Sequence, residues 1–178
     1  MASPVVFSAA TVTVSDRVSD GRADDVSGPL LATLLAEAGA DVMERHAVPD
    51  DPDRLTALLI ALAERVDVVI TTGGTGLAPR DLTPEATAAA VERRVSGIEE
   101  ALHRAGVDKV PTAILSRAVA GVRGRCFIAN LAGSPGGVRD GMKVLAPVLA
   151  HCVRLVRGEV TDCRDDLAGH TPPERHPS

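Results

Sequence analysis

The run Asp67-Val68-Val69-Ile70-Thr71-Thr72, leading straight into Gly73-Gly74-Thr75-Gly76, decides how the rest of the chain is read. Its β-branched residues lack helical period and suit a strand buried on both faces of a sheet. Glycines at the end of such a strand reach positive φ at low cost, turn backbone N–H groups towards an anion and let a phosphate approach the chain. Four residues of this composition serve equally well as a plain turn, so the neighbours decide. Arg80 and Asp81 stand just beyond Gly76, and Thr83-Pro84-Glu85 follows as a helix start. A cation, a carboxylate and a helix N-terminus therefore converge on one loop.

Working outward, residues 5–14 form a second β-branched run without helical period, ended by Ser15-Asp16-Arg17. After a loop rich in Gly and Asp (19–28), Pro29 predicts a helix start, with Leu31, Leu34, Leu35 and Ala38 facing inward and Gly39 as the stop. Residues 41–48 read as a strand. Asp51-Pro52 is a cap followed by a first-turn proline, and Leu55, Leu58, Leu59 and Leu62 recur at helical spacing. Thr83-Pro84 opens a further helix, expected to run to about Arg94, and residues 98–105 read as helical. Residues 111–116 and 126–131 both read as strand-like, with a short strand pair expected around Arg123-Gly124. Ser134-Pro135 starts a long helix whose inward face is Val138, Met142, Leu145, Leu149, Cys152, Val153 and Val156, and which Pro147 is expected to kink or split. The polar, proline-bearing stretch from Glu159 predicts a flexible tail over 159–178. Strands alternating with helices imply one α/β domain over 5–158 with a mostly parallel sheet and helices on both faces. Ligands of such sheets lie beyond the carboxyl ends of the strands, where the unusual loops of this chain fall.

Composition narrows the function classes. The chain has 178 residues, 45% apolar and 24% charged, which fits one soluble globular domain. Cys126, Cys152 and Cys163 are odd in number and form no C-x-x-C pair, so neither a disulfide framework nor a structural zinc site is expected. Met1-Ala2-Ser3-Pro4 carries no basic leader and no apolar run approaches membrane-spanning length, so the expected compartment is the reducing cytoplasm, with no membrane partner. A net charge of −5 and only two aromatics, Phe7 and Phe127, argue against a nucleic-acid partner. Lys109 and Lys143 are the only lysines and neither follows a glycine turn, which disfavours Schiff-base chemistry and a Walker A site. The histidines show no metal-ligand spacing.

The string Thr71-Thr72-Gly73-Gly74-Thr75-Gly76 followed by Pro79-Arg80-Asp81-Leu82-Thr83-Pro84-Glu85-Ala86 resembles the signature of the molybdenum-cofactor biosynthesis family. That family includes molybdopterin adenylyltransferase, the MogA and MoaB proteins and the matching domain of gephyrin. The likeness extends through Val14-Ser15-Asp16-Arg17, Asp25-Val26-Ser27-Gly28-Pro29, Val48-Pro49-Asp50-Asp51, Ile114-Leu115-Ser116-Arg117 and Asn130-Leu131-Ala132-Gly133-Ser134-Pro135. The resemblance implies a three-layer α/β/α fold with a mostly parallel sheet, usually a homotrimer. It also implies transfer of AMP from ATP, with Mg2+, onto the terminal phosphate of molybdopterin, releasing pyrophosphate. The product then serves a molybdate-insertion enzyme.

Carried over position by position, the resemblance makes Asp50 and Asp81 the two functional carboxylates and the candidate Mg2+ ligands. Thr72, Gly73, Gly74, Thr75, Gly76, Gly133 and Ser134 become the nucleotide cradle, and Arg80, Ser116 and Arg117 the substrate contacts. The bland readings stand beside these: Asp51 and Ser134 as helix caps, Asp16 and Asp25 as turn residues, Arg117 as a solvated arginine, His103 and His151 as helix-surface residues. The chain departs from the pattern at Ala132, where active members often carry proline, at Ser96, where proline often precedes glycine, and at Gly106, near which a serine is common. These departures bring it closer to the MoaB branch. A non-catalytic molybdopterin-binding or carrier paralogue is the alternative function, and a regulatory scaffold using the acidic loop 16–25 a third.

Overall fold

The structure is a computed structural model and describes residues 7–160. Val5 and Val6 of the expected first strand, Cys163 and residues 161–178 of the expected tail lie outside them. The elements run β1 (Phe7–Val14), α1 (Asp16–Ser19), α2 (Ser27–Glu37), β2 (Ala40–Val48), α3 (Pro52–Ala63), β3 (Val68–Thr72), α4 (Thr83–Ala90), β4 (Arg93–Arg94), α5 (Ser96–Val107), β5 (Ala120–Arg123), β6 (Cys126–Leu131) and α6 (Pro135–Arg157). They build one six-stranded sheet of order β2-β1-β3-β6-β5-β4. The pairs β1–β2, β1–β3 and β3–β6 are parallel, whereas β5 runs antiparallel to β6 and to β4. Going from β1 to β2 the chain moves one way across the sheet, and it returns to place β3 on the other side of β1. The β1/β3 boundary is thus a topological switch point, the position where such sheets open a crevice beyond their carboxyl ends.

Successive residues of the central strands point to opposite faces, as strand geometry demands. Phe127, Ala129 and Leu131 join Val68 and Ile70 beneath α2 and α6, in a core with Leu31, Leu35, Met142, Leu145 and Leu149. Cys126 and Ile128 join Val12 and Val69 beneath α3 and α4, against Leu55, Leu59, Leu62 and Ala86. Both faces being covered explains why β3 is buried along its whole length.

Four expectations are corrected. The second helix begins at Ser27, two residues before Pro29, which falls inside its first turn; the bond from the Gly28 amide to the Asp25 side chain at 2.8 Å supports the earlier start. The helix opened by Thr83-Pro84 stops at Ala90, short of Arg94, since sheet pairing wins: Glu92 N donates to Val122 O, and Arg93–Arg94 pair with Val122 and Gly121. An added Cβ on Gly121 would lie 2.7 Å from Arg93 O, so this approach needs glycine. Residues 111–115 form a 3-10 turn, not a strand; the free side of β5 is already taken by β4, and the turn's own bonds, such as Ser116 N to Ala113 O, replace ladder bonds. Helix α6 is not split by Pro147. That residue lies on the exposed face, where water can satisfy the carbonyl it leaves unpaired, while Leu145 and Leu149 hold the buried face to the sheet. The strand pair around Gly124, with φ of 53°, is as expected.

Candidate active site

Four parallel strands deliver their carboxyl ends to one edge of the molecule, and the loop Gly73–Gly76 occupies the middle. Gly73 has φ of 104° and Gly74 of 63°, conformations that favour glycine. An added Cβ on Gly73 would sit 2.3 Å from Val14 O, and one on Gly133 3.1 Å from the Gly73 Cα, so the exits of β1, β3 and β6 touch through glycine backbone. The cradle residue Thr72 is buried and spends its hydroxyl on Ala132 O at 2.9 Å, tying β3 to β6. Ser134 caps α6 by accepting the Gly137 amide at 3.1 Å, and Asp51 caps α3 through the Arg54 amide.

The two predicted carboxylates flank this loop. Asp50 Oδ1 lies 3.3 Å from the position a Gly74 Cβ would take, and Asp81 Oδ2 lies 2.8 Å from that of Gly76. Asp81 closes its own turn, accepting the Ala78 amide at 2.9 Å. Asp50 accepts the Asp16 amide through Oδ2 at 3.0 Å, and its Oδ1 takes no hydrogen bond from the described residues. Thr83, at the start of α4, is 1% exposed, its hydroxyl has no partner among the described residues, and that oxygen lies 2.4 Å from the position the same Gly74 Cβ would take.

The predicted substrate arginines are both engaged within the protein. Arg80 forks onto Asp16, Nε to Oδ2 at 2.7 Å and Nη2 to Oδ1 at 3.0 Å. That hydrogen bond, with the Asp50 amide, holds the Asp16 carboxyl below its ordinary range. Arg117 donates from Nε to Gly76 O at 3.0 Å, from Nη2 to Asp81 O and from Nη1 to Glu85, while its amide reaches Thr75 O. It thus clasps both ends of the loop that carries Asp81. Glu85 lies below its usual pKa because of the Arg117 bond.

On the α6 side of the loop opens a cleft of about 760 Å³, between α5, the 3-10 turn and the start of α6. Of the predicted residues it receives Thr75, Gly76, Ser116 and Ser134. Asp50 and Arg80 fall on the other side, in a narrow crevice with Asp51 and Thr83. Beneath the loop, Asn130 is fully buried and donates to Thr71 and Thr87 hydroxyls at 2.9 and 2.8 Å while accepting the Val119 amide. The only sequence signal for this network is one amide residue inside the apolar run 126–131. Asp25 takes the turn role, accepting from Thr13 as well as Gly28. Gly106 packs beside the 3-10 turn, where a Cβ would come within 3.0 Å of Ala113; a serine there would press on the cleft wall.

Among the described residues no three His, Cys, Asp or Glu side chains converge as a metal cage. Magnesium needs no such cage, since it commonly takes one or two carboxylates and completes its shell with water and substrate phosphates. Asp50 and Asp81, hard oxygen donors on either side of the loop, fit that chemistry. Cys126 and Cys152 are free, and burial pushes their thiols up to about 12 and about 11, so neither is a nucleophile. No helix among the described residues is long and apolar enough to cross a membrane.

Residues 10–151 match the family described as a probable molybdopterin binding domain. The molybdopterin adenylyltransferase of Helicobacter pylori strain J99 is 38% identical over 151 residues, covering 83% of this chain and 86% of that protein. The crystal structure of the molybdopterin biosynthesis enzyme MoaB from Thermus thermophilus superposes with a TM-score of 0.80 at 43% identity, over 85% of this chain and 97% of that one. The molybdopterin biosynthesis Mog protein of Mycobacterium ulcerans gives a TM-score of 0.78 at 44% identity, over 84% and 98%. The chain belongs to this molybdopterin-binding family of Mog and MoaB proteins.

Proposed function

We propose that the protein acts in molybdenum cofactor biosynthesis as a molybdopterin adenylyltransferase, working in the cytoplasm as a homotrimer and passing its product to a molybdate-insertion enzyme. The observation that carries the reading is the glycine loop at the switch point, flanked by Asp50 and Asp81 and opening onto the cleft, in a chain 38% identical to a molybdopterin adenylyltransferase. In the reaction an oxygen of the molybdopterin phosphate attacks the α-phosphorus of ATP. The bond from that phosphorus to the bridging oxygen breaks, and pyrophosphate leaves with the electron pair.

A phosphate monoester has its second pKa near ~6, so the nucleophile is already ionised at neutral pH and no general base is required. What the protein must supply is alignment and charge neutralisation. Amides of Gly74, Thr75 and Gly76, with that of Gly136 in the first turn of α6, offer donors to phosphate oxygens, while the Gly73 amide is spent on Leu131 O. Asp50 and Asp81 would hold Mg2+, which supplies charge neutralisation on the polyphosphate when bound. Ser116 and Ser134 face the cleft that would take the larger ligand. Arg117 fixes the Asp81 loop, and the amide network of Asn130 keeps the floor of the loop rigid.

The test uses purified wild type and Asp81→Asn with molybdopterin, ATP and magnesium, following adenylylated molybdopterin and pyrophosphate. Removing the charge while keeping the shape is expected to cost roughly 10- to 150-fold in turnover, from the ~1.5–3 kcal/mol carried by a charge-assisted bond. Equal turnover by both proteins removes Asp81 from the site. A wild type that binds molybdopterin without forming product makes the chain a carrier, the reading that Ala132 and Gly106 favour.

A further inference from the structure

Asp50 does not act on its own account. Ser15 N donates to Val48 O at 2.9 Å, carrying the β1–β2 ladder one residue past the strands. Beyond that point side chains continue the pairing: Asp16 N donates to Asp50 Oδ2 and Asp50 N donates to Asp16 Oδ1, both at 3.0 Å. Each carboxylate satisfies the amide of the other residue. Two carboxylates held this close repel unless a cation lies between them. Arg80 supplies positive charge beside the pair, gripping both oxygens of the Asp16 carboxylate and donating from Nη2 to the backbone carbonyl of Asp50 at 3.2 Å. The consequence falls on Asp50. Its Oδ2 is committed to the Asp16 amide, so Oδ1 is the oxygen presented to Gly74 and Thr83 at the edge of the glycine loop.

We propose that Asp16 and Arg80 are positioning residues for Asp50: through the reciprocal amide bonds and the arginine fork they fix which carboxylate oxygen faces the glycine loop and in what direction. Arg80 on this account does not contact substrate. The proposal rests on Asp50 being a working carboxylate of the adenylylation site. Alignment of this kind matters because a displacement of about 1 Å in a reacting geometry costs roughly 100-fold in rate. The fork matters because lysine in place of Arg80 keeps the charge but meets only one oxygen at a time.

A double-mutant cycle tests it, run on steady-state turnover of the full chain with ATP, magnesium and molybdopterin, with folding followed by circular dichroism. Asp16→Asn is expected to lower kcat about 10- to 100-fold with the KM for ATP within about twofold, since the loss is of alignment and not of binding. Asp50→Asn is expected to lower kcat further. The double variant should be no slower than Asp50→Asn alone, because Asp16 acts only through Asp50. Arg80→Gln should behave as Asp16→Asn does, and Arg80→Lys should recover part of the loss. Should Asp16→Asn fail to fold, Arg80→Gln in the Asp50→Asn background completes the same cycle.

Additive losses in the double variant overturn the proposal, as does a raised KM with unchanged kcat in Arg80→Gln, which would mean direct contact with substrate. Full turnover by Asp16→Asn beside an inactive Asp50→Asn overturns it too, leaving the role of Asp50 intact. If Asp50→Asn keeps full turnover, or wild type has none, the functional reading itself fails and takes the proposal with it.

Discussion

The two ends of the sheet use one device for opposite purposes. At the amino end, Asp67, just ahead of β3, receives Arg157 at the end of α6 as a fork of 2.9 and 2.7 Å, and accepts from both the amide and the hydroxyl of Ser8. At the carboxyl end, Arg80 forks onto Asp16. The pair at the amino end is sheltered, its side chains 25% and 17% exposed, and both Asp67 oxygens are used. The other is open, at 65% and 30%, and its neighbour Asp50 keeps an oxygen uncommitted. A saturated, sheltered fork fastens the last helix to the sheet. An open fork beside a carboxylate with an oxygen to spare is the arrangement of the proposed site. What separates stability from function here is not the residue types but how completely the acceptors are filled.

The largest effect expected from breaking this contrast comes from a glycine. At the carboxyl end the strands meet through backbone, so Gly73→Val puts a β-branched side chain at φ of 104° and its Cβ against Val14 O. The expected loss is roughly 4 kcal/mol or more, a large part of the stability of an ordinary domain. Gly124→Val supplies the scale: φ there is 53° but an added Cβ meets no atom within 4 Å beyond its chain neighbours, so only backbone strain of about 1–2 kcal/mol is expected. Urea unfolding followed by far-ultraviolet circular dichroism measures both, since the chain has no Trp or Tyr to report by fluorescence. Similar losses at the two glycines would mean that the strand ends are not in close contact.

Next in size is the amino-end fork. Asp67→Ala takes the fork from Arg157, leaving it only the Glu159 carboxylate at 3.4 Å, and leaves Ser8 without its acceptor, which is expected to cost about 2–4 kcal/mol and to lower Tm by roughly 5–15 °C. Turnover per folded molecule at low temperature should not change, because the bonds this variant removes all lie at the far end of the sheet from the glycine loop. A selective fall in turnover would join the two ends into one functional unit.

Much of this was legible in the chain, and the parts that were not have a common cause. Strand β3 with its glycine loop, the caps at Asp51 and Ser134 and the hairpin around Gly124 are local: each is specified by residues within a few positions. The same is true of the family string around Arg80 and Asp81. The failures were contests that local pattern cannot judge. Thr83-Pro84 starts a helix, but where it stops was settled by β5, some thirty residues downstream. Residues 111–116 carry a strand-like run, yet the edge they would have joined is filled by Arg93–Arg94. At the site, the types and spacing of Arg80 and Asp81 beside the glycine loop pointed to charge chemistry and the family resemblance added Asp50, whereas the fork that ties Arg80 to Asp16, and the clasp of Arg117 on Gly76 and Asp81, join residues 36 to 64 positions apart. Asn130 was invisible because a single buried amide in a strand declares itself only when its partners, Thr71 and Thr87, are in place.

The smallest expected effect sharpens the comparison most, because it separates the two forks by salt and acid alone. Burial pushes the Asp67 carboxyl up, but the Arg157 fork and the Ser8 bonds more than offset it, so its folded pKa lies below the ordinary 3.8; that of Asp16 is also lowered, chiefly by Arg80. A carboxylate whose folded pKa is depressed contributes stability in full above its unfolded value, and loses it as pH falls through the folded one. Both contributions should therefore be intact at pH 5 and fade below about pH 4. Salt acts differently on each: at high ionic strength the exposed Arg80–Asp16 fork is screened, while the sheltered Arg157–Asp67 fork is screened much less. Urea midpoints measured from pH 5 down to pH 2, at low and at high sodium chloride, are expected to show that Asp67→Asn flattens the acid limb in both salts. Asp16→Asn should flatten it slightly at low salt and not at all at high salt. Equal flattening by the two variants in high salt would show the carboxyl-end fork to be as structural as the other, and the division of labour between the two ends would fall.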